Sequence, residues 1–218
     1  MSYKHCPHCQ KKLDGLMTTR IILKDSTNAF INQFNFPNSE AYCNANECGP
    51  ALIETYKQEI ASKKDALIKE IFTKIDLIPI ITANSPLNWS YDILDIVTAQ
   101  SVSGTGFFSE MSGSWADFTG GQSDTLINKL YSGEEICKQK LRYKCLLIGG
   151  NAIIATDIDY SEVGGAKAML MVCMAGTAIN LNLNNVLADK RDDIEMLKAK
   201  ANELNQLKLI KFPEFGIS

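Results

Sequence analysis

NAIIATDIDYSEVGGAKAMLMVCMAGTAINL, residues 151–181, is the stretch that decides the fold. Its two ends, 151–160 and 168–181, are rich in apolar and β-branched residues and have the length of strands. The glycine-containing segment SEVGGAK between them is typical of a hairpin turn. The sequence therefore predicts two antiparallel strands that are neighbours in one sheet.

The second of these strands is apolar on both faces. Successive side chains of a strand point to opposite sides, which gives two sets: Leu170, Val172 and Met174, and Met169, Met171, Cys173 and Ile179. A single helix covers only one face of a sheet. We therefore expect a second layer on the other face, supplied most economically by another copy of the chain.

The preceding residues complete a β-α-β-β unit. Residues 91–108 predict a first strand that breaks up at Gly104 and Gly106. A helix capped by Ser123 should run to the glycine stop at 149–150. Its predicted apolar face is formed by Leu126, Leu130, Cys137, Leu141, Cys145 and Ile148. The expected architecture is an antiparallel sheet with one helix, in the α+β class.

Further helices are expected on both sides of this unit. Pro50 suits a first helical turn, and the helical period continues to Ile75 before Pro79 and Pro86 exclude helix. A charged C-terminal helix could dock on the domain or bundle with its copies through a narrow stripe of Leu187, Ile194, Leu197, Ala201, Leu204 and Leu207. The chain is thus expected to divide into four segments: a cysteine-rich segment (1–50), a connecting helix (51–77), the main domain (78–183) and the C-terminal helix (184–218).

Two close cysteine pairs lie in the first 50 residues. Cys6 and Cys9 form a C-x2-C motif, and Cys43 and Cys48 form a C-x4-C motif before the connecting helix. Two such pairs suit a tetrahedral zinc site with zinc–sulfur distances of about 2.3 Å, and free amides of the helix favour thiolates. We predict structural zinc on these four cysteines in a treble-clef or zinc-ribbon-like finger, although a spacer of two residues is commoner than four.

Other interpretations of the cysteines remain open. Disulfides and unligated thiols are the alternatives to zinc, and His5 or His8 could replace one cysteine as a ligand. Seven cysteines without a secretion signal favour reduced thiols and metal ligation. Cys137 and Cys145 are expected to be inert thiols buried on the helix of the main domain.

Asp157 and Asp159 lie on one face of the first hairpin strand, with side chains roughly 7 Å apart. That spacing could suit an acid/base pair or a hard cation. The simpler interpretation is a half-exposed strand whose acids face water or a subunit boundary. Its inward residues would then be Ile154, Thr156, Ile158 and Tyr160.

Soft ligands are found on the second hairpin strand. Met169, Met171 and Cys173 alternate along one face and would suit copper(I) or a similar ion. Methionine is also an ordinary filler of cores and interfaces. We keep Asp157, Asp159, Met171 and Cys173 together as a second candidate site.

The run GGNAIIATDIDYSEVGGAKAMLMVCMAGTAI, with GGQSDTLINKL upstream, resembles the YbjQ-like family, also called a heavy-metal-binding domain. The resemblance covers about residues 78–182. It implies a small fold similar to a dodecin subunit, assembled into a ring that is commonly a pentamer. Asp157, Asp159 and Tyr160 match the family's motif, but no established catalytic role comes with them.

The glycine-rich segment before the helix departs from the family pattern at one position. Gln122 follows the paired glycines where the family often has arginine, so an anion contact from that arginine is not expected. Dodecin-like relatives can hold flavins between subunits. The segment 104–121, with Trp115 and Phe118, is therefore a candidate subunit contact or ligand pocket.

Composition narrows the function further. Both histidines flank the first cysteine pair, which leaves the main domain without the usual base of a hydrolase. The formal charge of -3 and the lack of a concentrated basic face make nucleic acid an unlikely partner. Without a membrane-length apolar run or a signal peptide, we expect a cytoplasmic protein. The hypothesis is a non-enzymatic zinc protein that forms a homo-oligomer and offers its finger to a protein partner; the alternative is a sensor of metal or a flavin-like ligand at the subunit interface.

Overall fold

The structure, a computed structural model, describes residues 3–15, 18–102, 126–163, 169–184 and 186–213. The chain forms two compact units. Unit 1 consists of Met1–Lys63 and Leu209–Ser218, and unit 2 consists of Lys64–Lys208. Each unit has a hydrophobic core of its own.

Unit 1 is a small cysteine-rich unit. It contains the antiparallel pair β1 (Asp14–Gly15) and β2 (Thr18–Thr19), the helix α1 (Asp25–Ile31) and the first part of the helix α2 (Gly49–Lys74). Pro50 lies in the first turn of α2, as predicted, where its missing N–H costs no helical hydrogen bond. Three cysteines belong to the buried core, which comprises Cys6, Leu13, Ile31, Tyr42, Cys43, Cys48 and Ile53.

Unit 2 is built on a three-stranded antiparallel sheet. Its strands are β3 (Tyr91–Val102), β4 (Ala152–Val163) and β5 (Met169–Leu181), in the order β3-β5-β4. Helix α3 (Leu126–Leu147) connects β3 to β4, and helix α4 (Arg191–Lys208) follows the sheet. The predicted mixture of helix and antiparallel sheet is confirmed. The predicted cap Ser123 and the predicted breaks at Gly104 and Gly106 lie outside the described residues.

Helix α3 covers one face of the sheet. Its buried residues Cys137, Leu141 and Cys145 pack in one cluster with Val172 and Met174 of β5, as the helical period predicts. The prediction that Ile148 belongs to this apolar face is wrong, because the helix ends at Leu147 and Ile148 is exposed. The chain then reverses at Gly149, whose φ of 85° favours glycine.

The opposite face of the sheet is covered over only part of its length. At the end of β5, Ile179 and Leu181 pack in a second cluster with four residues of α4, namely Ile194, Leu197, Ala201 and Leu204. The predicted apolar stripe therefore docks on unit 2, although Leu187 precedes the helix. The chain itself therefore supplies part of the layer that the sequence leads us to expect from another copy. Farther along β5, Met171 and Cys173 stay half-buried.

A bulge interrupts β4, where the register against β5 shifts between Ile154 and Asp157. Ala155 has a left-handed φ of 52°. Ile153 packs towards α3, whereas Ile154 packs in the cluster that contains α4. The prediction that every second residue from Ile154 to Tyr160 faces inward is therefore wrong: Thr156 is buried, but Ile158 and Tyr160 are 37% and 49% exposed. An extra residue shifts the inward–outward alternation of the side chains that follow it in the strand. No side-chain pattern in this segment predicts such a bulge.

A glycine lies opposite this bulge. A Cβ at Gly176 would lie 2.6 Å from Ile153 Cγ2 and 3.0 Å from the Thr156 hydroxyl. Since the bulged strand crowds the backbone of β5 at this point, only glycine fits without displacement. Within the described part of the chain, the Thr156 hydroxyl has no hydrogen-bond partner although it is buried.

Candidate metal centre

The four cysteines of the two sequence motifs converge in unit 1. The Cys6 and Cys48 sulfurs are 3.8 Å apart, and the Cys9 and Cys43 sulfurs are 3.7 Å apart. All four sulfurs lie within 4.8 Å of one another. Each short distance joins one cysteine of the first pair to one of the second, so the two motifs form a single site.

This donor set fits zinc. A tetrahedron with zinc–sulfur bonds of about 2.3 Å has sulfur–sulfur edges of about 3.8 Å, which agrees with the two short distances. Cys6, Cys43 and Cys48 are completely buried, and Cys9 is half-buried. Four protein thiolates would fill all positions of a tetrahedral ion, which is the arrangement of a structural site.

A tight turn holds the first pair. The Gln10 amide donates to the Cys6 carbonyl at 2.9 Å, and the Cys6 amide donates to the Lys11 carbonyl at 2.9 Å. Burial raises the pKa of the Cys6 thiol, but the backbone amides of Cys9 and His8 and the side chains of Cys9 and Cys43 together outweigh this and lower the pKa. The turn therefore prepares this sulfur to be a thiolate.

The second pair is placed by a strand-like segment and a helix start. Cys43 forms an isolated antiparallel bridge with Ile22, and Cys48 immediately precedes α2. The Cys48 amide donates to the Ala45 carbonyl and the Gly49 amide donates to the Cys43 carbonyl. Burial is the main cause of the raised pKa of Cys48, and the neighbouring thiols raise it further. A divalent cation would compensate this burial of negative charge.

Two asparagine side chains, one in α1 and one at its C-cap, fix the segment that leads to Cys43. Asn28 accepts from the Tyr42 amide at 3.1 Å and donates to the Leu23 carbonyl at 2.9 Å. Asn32 accepts from the Tyr42 hydroxyl at 2.6 Å and donates to the Ser39 carbonyl. Sequence reasoning missed these supports. The spacing of four residues between the asparagines was the available signal, because it puts them on one helix face.

Neither histidine belongs to the cluster. His5 and His8 are exposed, and the group of possible ligands consists of the four cysteines alone. The ring of His8 packs against Tyr42 at 4.8 Å between centroids. All seven cysteines are free of disulfide bonds in the structure.

The residues of the second candidate site share one face of the sheet of unit 2. Asp159 is paired with Cys173 across β4 and β5, and Asp157 is paired with Ala175. Met171 is paired with Ser161, which lies two residues after Asp159 in β4, so Met171 lies on the same face of the sheet. Both aspartates are exposed. Within the described ranges, the four-cysteine cluster is the only group of three or more His, Cys, Asp or Glu side chains close enough to share an ion.

The two thiols on α3 are buried and turned towards backbone carbonyls. Cys137 donates to the Val172 carbonyl at 3.4 Å, and Cys145 donates to the Ala152 carbonyl at 3.3 Å. Burial raises the pKa of Cys137 to about 11 and that of Cys145 to about 12. Both thiols are therefore protonated at neutral pH, as expected for inert cysteines.

Two further expectations concern the rest of the chain. The candidate pocket at 104–121, with Trp115 and Phe118, and the departure at Gln122 lie outside the described residues. Of the helices that the structure describes, none combines the length and the apolar character needed to cross a membrane.

Known proteins are similar to part of the chain. The profile of the YbjQ family, described as "Putative heavy-metal-binding", matches residues 79–182. A UPF0145 protein of Clostridium botulinum (strain Eklund 17B / Type B) is 32% identical over 84 residues, which are 38% of this chain and 79% of the relative. A UPF0145 protein of Clostridium botulinum (strain Alaska E43 / Type E3) is 31% identical over 84 residues, with the same coverage of 38% and 79%.

Solved structures also match part of the chain, and one of them is a crystal structure of a protein with unknown function, of the DUF74 family, from Pediococcus pentosaceus. It is 25% identical to this chain, covers 47% of it and 96% of its own length, and has a TM-score of 0.32. The family match at 79–182 falls inside unit 2, so the four-cysteine cluster of unit 1 lies outside the matched residues.

Proposed function

The chain belongs to the YbjQ family, and from this premise we propose that it is a non-enzymatic metal-binding protein with structural zinc in unit 1 and a self-assembling unit 2. The convergence of four thiols within 4.8 Å carries the proposal. In the assembly, each copy would present one zinc finger to a protein partner, and several weak contacts would add up through multivalency.

Structural zinc has a clear physical task in unit 1. The described core of this unit is small, and three of its seven buried apolar residues are cysteines. Such a core gains little from apolar burial alone, whereas zinc binding contributes directly to the free energy of folding. Bound zinc would supply the positive charge that offsets buried thiolates, and the backbone amides at Cys6 would add to this.

Self-assembly is supported by the open part of the sheet in unit 2. Ile96 and Ile93 of β3 are 68% and 70% exposed, and Met171 and Cys173 of β5 are half-buried. A second copy placed there would remove apolar surface from water. The ring and the pentamer implied by the family resemblance are the arrangement that we propose for this assembly.

The absence of catalysis is part of the same proposal. Unit 2 contains no histidine in its sequence, and Asp157 and Asp159 are exposed to water on a strand. A catalytic acid/base pair works where bulk water is excluded, which an exposed strand face does not provide. A reduced compartment suits seven free cysteines, and we propose the cytoplasm as the location.

A metal or small-ligand sensor is the second candidate function. It is favoured by the pairing of Asp159 with Cys173 and by the proximity of Met171 along the same strand. A carboxylate beside soft sulfur ligands would suit an ion held between subunits. This alternative requires a second bound metal or an organic ligand for each chain.

Replacing single cysteines tests the zinc proposal. Cys43→Ala removes one of four ligands, so the purified variant should lose its zinc and unit 1 should become sensitive to protease. Cys173→Ala is the matched control, because its thiol is half-buried in unit 2 and takes no part in the cluster. Elemental analysis should find one zinc per chain in the control, as in the unchanged protein.

The same two variants separate the candidate functions. If Cys43→Ala keeps all of its zinc, the four-cysteine site is not the zinc site and the proposal is wrong. If the unchanged protein holds a second metal that Cys173→Ala loses, the sensor becomes the better account.

A further inference from the structure

Unit 1 carries a cluster of aromatic rings beside its cysteine core. Phe30 lies near the end of α1, Phe34 follows it and Tyr56 lies on α2. The rings of Phe34 and Tyr56 stack with centroids 3.9 Å apart and an interplanar angle of 9°. Phe30 stands edge-on to both, at 5.6 Å and 6.1 Å. These three residues, here called the aromatic cluster, are half-buried.

A fourth ring reaches this cluster from the other end of the sequence. Phe212 belongs to the segment after α4 that is part of unit 1. Its ring centroid lies 5.7 Å from that of Phe30 and 6.0 Å from that of Tyr56, and both contacts are edge-on. The Lys57 ammonium lies 5.8 Å from the Phe212 centroid. Phe212 therefore combines edge contacts with a cation–π contact.

The segment around Phe212 has no regular secondary structure. Residues 210–213 have neither helix nor strand, and none of the described backbone–backbone hydrogen bonds outside the helices and strands involves them. Leu209 is 70% exposed and Lys211 is exposed. Phe212 is therefore the aromatic anchor of the segment, in which Ile210 and Pro213 are also half-buried.

We propose that the aromatic cluster is a peptide-binding site, that its ligand is the C-terminal segment through Phe212, and that it accepts this segment from a second copy of the chain. The ring contacts and the cation–π contact of Lys57 depend only on the side chain that arrives. They do not depend on which copy of the chain delivers it. Exchange of an identical segment between copies requires no new contacts, which makes it a low-cost route to association.

A labelled peptide with the sequence of residues 207–218 tests the site by fluorescence anisotropy. A protein that ends at Lys208 should bind this peptide, and the full chain should bind it at least about tenfold more weakly, because its own segment competes at high effective concentration. A peptide with Phe212→Ala should lose at least about tenfold in affinity. The shortened protein with Tyr56→Ala should show the same loss.

A second variant protects the test against misfolding of the shortened protein. Full-length Phe212→Ala retains the whole chain and should bind the unchanged peptide as the shortened protein does. No binding by either protein, with zinc content equal to that of the unchanged protein, would overturn the proposal. Equal binding of the Phe212→Ala peptide would overturn it as well.

Competition tests the exchange between copies. Full-length Tyr56→Ala has a defective site but an intact segment, so it should displace the peptide from the shortened protein. The matched control, Tyr56→Ala with Phe212→Ala, should not displace it. This readout is the release of the peptide, and it is independent of any association through unit 2. Equal displacement by both proteins, or by neither, would contradict exchange.

Discussion

Single residues decide whether the second cysteine pair can reach the first. Cys48 is a core residue and also the residue immediately before α2. The following Gly49 lets the helix begin against the backbone of Cys43, because its amide donates to the Cys43 carbonyl at 3.1 Å. A Cβ at Gly49 would lie 3.0 Å from that carbonyl oxygen and 2.3 Å from Leu23 Cδ1. The four-residue spacer between Cys43 and Cys48 therefore requires the backbone of Gly49 to lie close to the backbone of Cys43.

Gly49→Ala should weaken zinc binding without removing a ligand. The Leu23 side chain can move, but the Cys43 carbonyl is held by its hydrogen bond from the Gly49 amide, which positions Cys43 as a ligand. Overpacking of this kind costs about 1–3 kcal/mol, which corresponds to roughly five- to 150-fold in zinc affinity. Competition with a chromophoric chelator measures the change.

Gly149→Ala is the control for this prediction. It also replaces a glycine, but it lies in unit 2, and a Cβ there would have no neighbour within 4 Å. Its zinc affinity should equal that of the unchanged protein, whereas its φ of 85° should cost unit 2 about 1–2 kcal/mol. An unchanged zinc affinity in Gly49→Ala would show that the two cysteine motifs do not depend on this close contact.

The elements differ in how well the sequence predicts them. The helical face of Cys137, Leu141 and Cys145 and the two hairpin strands follow from periodicity, because burial selects apolar residues at fixed intervals. The cysteine cluster follows from motif spacing. The bulge at Ala155 does not, since it depends on tertiary packing and on the absence of a side chain at the distant Gly176.

The sequence also does not predict that α4 covers part of the second face of the sheet. The stripe on α4 predicts an apolar face, but a periodic pattern does not identify the surface that it meets. The structure places that stripe on the Ile179 end of β5. The Met171 end of β5 stays half-buried, and the proposal of self-assembly rests on this end and on the exposed Ile93 and Ile96 of β3.

At the element scale, a buried amide connects β4 to the end of β5. Asn151 lies just before β4 and is completely buried. Its side chain donates to the Leu181 carbonyl at 2.9 Å and accepts from the Leu181 amide at 2.6 Å. It thus supplies the paired hydrogen bonds of a neighbouring strand.

Asn151→Leu should destabilise unit 2 by about 2–5 kcal/mol, because both backbone groups of Leu181 would be buried without a partner. Urea denaturation followed by tryptophan fluorescence measures this, since both tryptophans belong to the sequence of unit 2. The exposed Asn184 provides a control, and Asn184→Leu should stay within about 0.5 kcal/mol of the unchanged protein. Equal stability of the two variants would mean that the Asn151 amide does not hold the end of β5.

At the scale of the whole molecule, the family match and the metal site fall in different units. The match at 79–182 concerns unit 2, whereas the four cysteines lie in unit 1. The heavy-metal description of the family therefore does not account for the cysteine cluster, which has to be explained by its own geometry. We propose that the family domain self-assembles and that zinc stabilises the finger.

Native mass spectrometry of the protein purified without added metal tests this combination most directly. Gentle ionisation gives the number of subunits, and stronger activation gives the mass of the ejected chain with its bound metal. We expect a closed assembly in which every chain carries one zinc ion. A zinc-free monomer would contradict both halves of the account.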